Sequence, residues 1–163
     1  MVETPGESQS RDSFPTRSCV GLEVERPPNF RYRPADYVFV RCPEVSRLDW
    51  HPFSISSAPE EENILAIHIR ATGSRTGALY ELFNKMRPPL PVVVGMRTQA
   101  VVPVYLDGSY GTPSSNIFES KNAILIGSGI GVTPFAAILK SILLRKLKGD
   151  YTLRLQKFHF FFG

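Results

Sequence analysis

Cysteine is scarce in this chain of 163 residues, which has only Cys19 and Cys42. Two are too few for a disulfide framework, and they lack the spacing of metal ligands. A reducing compartment is the simpler expectation. Long apolar runs are missing too; none approaches the roughly 20 residues that a membrane span needs. The N-terminus is polar and lacks the apolar core of a secretory signal. Neither sign of charge dominates, since 19 basic residues face 15 acidic ones for a formal net charge of +4. The basic residues are scattered, so the surface tolerates anionic cofactors without the footprint of a nucleic-acid binder. No Ser-His-Asp order, H-E-x-x-H or C-x-x-C pattern occurs, which leaves hydrolase and zinc chemistry without support.

What is present is the composition of a globular protein, with 42% hydrophobic residues. Residues 1–17 are rich in Ser, Pro, Glu and Gly, show no periodicity, and predict a disordered tail. Val20, Leu22 and Val24 then alternate with Gly21, Glu23 and Glu25, as in a strand. Pro34-Ala35-Asp36 reads as a turn into a strand from Tyr37 to Arg41, and Ile64 to Arg70 as a further strand with two distinct faces. Leu79, Leu82, Phe83 and Met86 follow helical spacing, and Thr76 is placed to be the N-cap of that helix. Val92 to Val94 and Val101 to Tyr105 predict two more strands, and Asp107 to Pro113 a dense turn. Short strands around one helix suggest a small antiparallel barrel over residues 18–120.

The character changes near Lys121. Ala123 to Ile126 is a short apolar run of the kind found in parallel strands buried on both faces. A glycine-rich turn follows, and then a helix with Phe135, Ile138, Leu139, Ile142, Leu143 and Leu147 on one stripe. Gly149 is a natural stop, and Lys157 to Phe162 predicts a second strand. Residues 121–163 thus read as one βαβ unit.

Two motifs carry the chemistry. The second in chain order is Gly127-Ser128-Gly129-Ile130-Gly131-Val132-Thr133-Pro134. A strand that ends in glycines and passes into a helix points backbone N–H groups at an anion. Thr133 could add a hydroxyl, and Pro134 suits the first helical turn. The alternative is a glycine-rich connection without a ligand; the flanking strand and helix favour phosphate binding. The first motif is His51-Pro52-Phe53-Ser54-Ile55. A strand alternating polar, aromatic and hydroxyl groups could hold a flavin across one face, with Pro52 requiring an edge strand or a bulge. On composition alone, a packing role for this strand end is the better reading. Arg70 and Thr76-Gly77 form a further possible anion site, equally well read as a cap beside a solvated arginine.

Taken together in this order, the motifs resemble the cytosolic dehydrogenase region of the NADPH oxidases, and most closely the calcium-regulated branch. The resemblance rests on His51 to Glu60, His68-Ile69-Arg70, Asp107 to Pro113 and Ile126 to Phe135, and it covers Cys19 to the end. It overturns the packing reading of His51. It implies the fold of the ferredoxin-NADP reductases: an antiparallel six-stranded flavin-binding barrel, then a truncated Rossmann-like nucleotide-binding unit. It further implies that His51, Pro52, Phe53, Ser54 and Ile55 hold FAD, with Arg70 and Thr76 toward its phosphates. Gly127, Ser128, Gly129, Gly131, Val132, Thr133 and Pro134 would receive the pyrophosphate of NADPH. Hydride would pass from nicotinamide to flavin, and electrons would go on to transmembrane haems and to oxygen, making superoxide. The module would then lie at the cytosolic face of a membrane, while the isolated chain is expected to be soluble, cytoplasmic and without a span of its own. Two residues depart from the family pattern: Ala35 stands where glycine is usual and Ser109 where proline is usual. The haem-bearing helices and the later nucleotide-binding segments are not in this sequence, so the isolated chain is expected to lack appreciable NADPH-dependent activity. A ferric-chelate reductase module and a truncated product without activity are the alternative readings.

Overall fold

The computed structural model describes residues 19–85, 102–150 and 152–163. The expected tail, the strand expected at Val92 to Val94, and Met86 of the helical stripe lie outside the described residues. Strand β1 (Cys19–Glu25) pairs antiparallel with β4 (Ile64–Arg70) over its full length, from Cys19 opposite Arg70 to Glu25 opposite Ile64. Strand β2 (Tyr37–Arg41) lies between β3 (His51–Ser54) and β5 (Tyr105–Tyr110). The period-2 alternation explains the layering. Val38 and Val40 of β2 are buried at 0% and 3% exposure, whereas Tyr37 and Phe39 face the other way and stay half-exposed.

A bridge from Ile55 to Ile67 ties β3 to β4. Ile55, Leu65, Ile67, Ile69 and Val38 are essentially fully buried and make one hydrophobic cluster. Helix α1 (Ser74–Lys85) closes it with Leu79. Among the described residues the five antiparallel strands form two sheets joined by that bridge, not the closed six-stranded ladder the sequence suggests.

Pro52 sits on edge strand β3, where its missing N–H costs no ladder bond. The segment Asp107 to Tyr110, read as a turn, is strand instead and belongs to β5. It pairs with β2 through a register shift between Tyr37 and Phe39, which Gly108 accommodates at φ +124°. Its turn-forming composition therefore serves a bulge. The strand expected from Val101 begins only at Tyr105; Val102 and Val104 pack on the core ahead of it.

The second region runs β6 (Asn122–Gly127), α2 (Thr133–Leu147), β7 (Lys157–Phe162), with β6 and β7 parallel. A one-turn 3₁₀ segment, Gly129–Val132, stands between β6 and α2. Lys146 and Arg145 accept bonds from the N–H groups of Gly149 and Asp150, and Gly149 has φ +76°. That is a Schellman ending, as the glycine predicts.

Two expectations fail here. β6 is buried on one face only: Leu125 is covered, but Ile124 and Ile126 are 67% and 74% exposed. Leu125 shares a core cluster with Ile138 and Ile142 of α2 and with Ile117 of the segment before β6. The α2 stripe is also rotated. Leu143 and Leu147 are exposed, while Ala137 and Ser141 are buried. Ser141 donates to Glu60 Oε1 (2.8 Å) and Lys140 pairs with Glu61 (2.7 Å), so the helix docks on the β3–β4 loop by its small-residue side.

Candidate functional site

Strands β3 and β4, the start of α1 and the glycine turn converge on one cleft of about 360 Å³. Pro52, Phe53 and Ser54 form one wall, Arg70 and Thr76 the floor, and Gly131, Thr133 and Pro134 the far wall. The two motifs, some 75 residues apart in the chain (Pro52 to Gly127), therefore face one space. Phe53 is half-buried and also packs on the core cluster, so its ring is braced from behind.

Not every expected residue lies in the cleft lining. Ile55 is completely buried and anchors the strand end by donating its N–H to Asp36 O at 2.9 Å. His51 pairs with Val40 at the far end of β3, and its Nε2 is buried with no partner among the described residues. Gly127 is buried; Ser128, Gly129 and Val132 border the turn without lining the cleft.

The glycines have different reasons to be glycine. A Cβ on Gly127 would stand 3.2 Å from the Phe135 ring and 3.5 Å from the Val132 Cα, so it would press on Phe135 where β6 meets α2. Gly129 has φ +52°, and a Cβ there would be 3.1 Å from Arg70 Nη1. A Cβ on Gly131 would meet nothing within 4 Å, so at that position the backbone is open to the cleft. Such an opening fits an anion held by backbone N–H groups. Thr133 is another matter. Its hydroxyl donates to Ile130 O at 2.7 Å, so it presents lone pairs, not a proton, to the cleft.

Thr76 is not the N-cap expected. The helix begins at Ser74, and Thr76 Oγ1 reaches back to accept from the N–H groups of Thr72 (3.1 Å) and Gly73 (3.0 Å). This resembles the returning half of a capping box, with threonine in the role of glutamate. It occupies two N–H groups ahead of the helix.

His68 on β4 is hydrogen-bonded to Ser56, and the direction of that bond has a consequence. Ser56 Oγ gives its only proton to Ala66 O (2.9 Å), so the 2.8 Å contact with His68 must be Nδ1–H donating to Ser56. In the neutral ring, Nε2 is then an acceptor, and His68 lines the cleft.

An adjoining aromatic patch was missed altogether. Tyr37, Phe39 and Thr112 line a second opening with Pro52, Phe53 and Ser54. Tyr37 stacks on Tyr110 at 5.4 Å, and Phe39 meets Tyr110 edge-on at 5.5 Å. The signal was available in the alternation Tyr37-Val38-Phe39-Val40, which sends both aromatics to one face. Tyr110 donates to Asp107 (2.8 Å), and that bond, more than its slight desolvation, holds the phenol above its usual pKa range. Among the described residues no cluster of His, Cys, Asp and Glu could hold a metal ion, and no helix is long and apolar enough to cross a membrane.

An antiparallel β unit, a βαβ unit and a shared cleft between them make up the fold of the ferredoxin-NADP reductases. A ferredoxin-NADP⁺ reductase from Neisseria gonorrhoeae, with bound FAD and NADP, superposes with a TM-score of 0.62 at 19% identity, over 90% of this chain and 52% of that one. At the level of sequence, NADPH oxidase 5 of Homo sapiens is 42% identical over 153 residues, covering 80% of this chain and 20% of the relative. NADPH oxidase 1 of Mus musculus is 41% identical over 141 residues, covering 86% of this chain and 22% of the relative. The chain thus spans about a fifth of the length of these relatives. The model of the FAD-binding domain family matches residues 13–114, and the chain belongs to that family, in the form found in the dehydrogenase region of the NADPH oxidases.

Proposed function

We propose that this chain binds FAD and NADPH and positions them for electron transfer as the dehydrogenase module of a superoxide-generating NADPH oxidase. One observation carries the reading: the flavin-type strand and the glycine turn wall the same cleft. The bound cofactors would supply hydride transfer from nicotinamide to flavin and single-electron release onward. The chain's own residues bind and orient. Pro52, Phe53 and Ser54 offer an edge-strand face for a planar ring, with the Tyr37–Phe39–Tyr110 patch beside it. Arg70 supplies a guanidinium for phosphate oxygens, and the turn at Gly129 to Gly131 supplies backbone N–H groups for a pyrophosphate. His51 and Ile55 hold the two ends of β3 in place.

Residues 18–120 would constitute the flavin-binding domain, of the six-stranded barrel type, and residues 121–163 part of the nucleotide domain. In the parent protein, electrons would leave for transmembrane haems and oxygen, with this module at the cytosolic face. Titration of the purified chain with FAD tests the reading through quenching of flavin fluorescence. Saturable binding is expected, weakened roughly tenfold or more by Arg70→Gln, because a charge-assisted bond is lost. Phe53→Ala should weaken it as well. A folded chain that binds no flavin would overturn the assignment.

A further inference from the structure

We propose that a second pocket, apart from the cleft, binds a small anion that carries an ammonium group beside its phosphate or carboxylate. The pocket has a volume of about 370 Å³ and shares no lining residue with the cleft or the aromatic opening. Its chemistry is set by Arg31, Arg33, Asp36, Ser109, Gly111 and Ser115.

Asp36 is the unusual member. It is only 4% exposed. Its Oδ2 accepts from the Arg33 N–H at 2.8 Å, closing the turn Arg33 to Asp36, in which Ala35 takes φ +73°. Its Oδ1 is buried with no partner among the described residues. A buried carboxylate oxygen without a donor is unfavourable, and a donor arriving from a ligand relieves that. Gly111 lies beside it: a Cβ there would stand in ordinary contact with Oδ1, at 3.9 Å.

The other groups sharpen what can enter. Ser109 gives its proton to Arg31 O (2.9 Å) and Ser115 gives its own to Thr112 O (2.8 Å). Both therefore offer lone pairs only, and they line the pocket together with Asp36. The Arg31 and Arg33 guanidinium groups are exposed, with no ion pair or hydrogen bond among the described residues, and can only donate. An ammonium group matches the acceptors with N–H donors, and an anionic group matches the arginines. Ser109 stands where the resembled family usually has proline, so its hydroxyl is a feature of this chain.

Calorimetric titration of the whole chain with O-phosphoethanolamine tests the proposal, with phosphocholine as the matched control. The two probes carry the same phosphate and the same positive charge on nitrogen, but the trimethylated choline nitrogen has no N–H to give. O-phosphoethanolamine should bind saturably and roughly tenfold tighter than phosphocholine or inorganic phosphate. Asp36→Asn can keep the Arg33 bond through its oxygen and turn an NH₂ group into the pocket. The preference should then invert toward inorganic phosphate. Arg31→Gln combined with Arg33→Gln should abolish binding of all three probes, and flavin binding should be unchanged in every variant.

Phosphatidylcholine vesicles with and without phosphatidylethanolamine separate the sources of this chemistry. Co-sedimentation only with the latter assigns a lipid headgroup, whereas binding of the soluble probe alone assigns a free small molecule. Equal binding of O-phosphoethanolamine and phosphocholine, no saturable binding of any probe, or an unchanged preference in Asp36→Asn would each overturn the proposal. The orphan oxygen would then serve only a bound water.

Discussion

The two regions of this molecule use hydrophobic residues differently. Around β1–β5 the inward positions Val38, Ile55, Leu65, Ile67 and Ile69 are essentially fully buried, in sheets that fold around their own cluster. Around β6 and β7 the cover is partial: Leu125 is buried in a cluster with α2 and Ile117, while Ile124, Ile126 and Phe161 stand exposed on the opposite face and Phe162 is exposed as well. Residues of the same chemical type are thus a core in one region and a surface in the other. Hydrophobicity by itself does not report burial; the layer that packs against it does.

The largest effect should separate the regions directly. Ile67→Ala removes a buried side chain and should cost about 2–5 kcal/mol in denaturant unfolding. Ile124→Ala removes an exposed one and should change stability by at most about 0.5 kcal/mol. Equal losses would break the comparison. Next in size is Gly129→Ala. Its positive φ costs a residue with Cβ about 1–2 kcal/mol, and the new methyl presses on Arg70. Flavin affinity should fall along with stability, although Gly129 lies in the nucleotide turn. Gly131→Ala should leave stability unchanged and weaken NADPH binding alone, because its Cβ would enter only cleft space. Identical behaviour of the two variants would show that the turn acts as a single unit.

The smallest effect concerns the end of α2. Thr152, through its hydroxyl and N–H, and Arg145 hold the Asp150 carboxyl down to about 2. A carboxyl lowered by folding stabilises the fold above its ordinary pKa, near 3.8. That contribution is lost as pH falls from there toward 2. Asp150→Asn should therefore lower the unfolding midpoint slightly at pH 6 and not at all below pH 2. A difference that persists in acid would assign the effect to packing.

Much of the element order was legible because the local signals agreed. Alternation marked β1 and β4, the Pro34-Ala35-Asp36 turn marked the start of β2, Gly149 marked the end of α2, and Pro52 pointed to an edge or a bulge at β3. Legibility failed where a local signal served a non-local purpose. Asp107 to Tyr110 has the composition of a turn and forms a bulged strand, because β2 offers it a ladder. Thr76 resembles a cap from its position before Gly77, yet caps from inside the helix. The aromatic patch was overlooked because Tyr110 joins Tyr37 and Phe39 only through the pairing of β5 with β2.

The sequence by itself determined the kinds of element, their order and the two motifs that mark the family, since these depend on neighbours a few residues apart. Only the tertiary structure decided which motif residues share a cleft. It alone showed that Gly127 is a packing glycine and Gly131 an open one, and that Asp36 keeps an oxygen without a partner. Those outcomes depend on contacts across tens of residues, where packing and hydrogen-bond satisfaction are settled by groups no local pattern brings together.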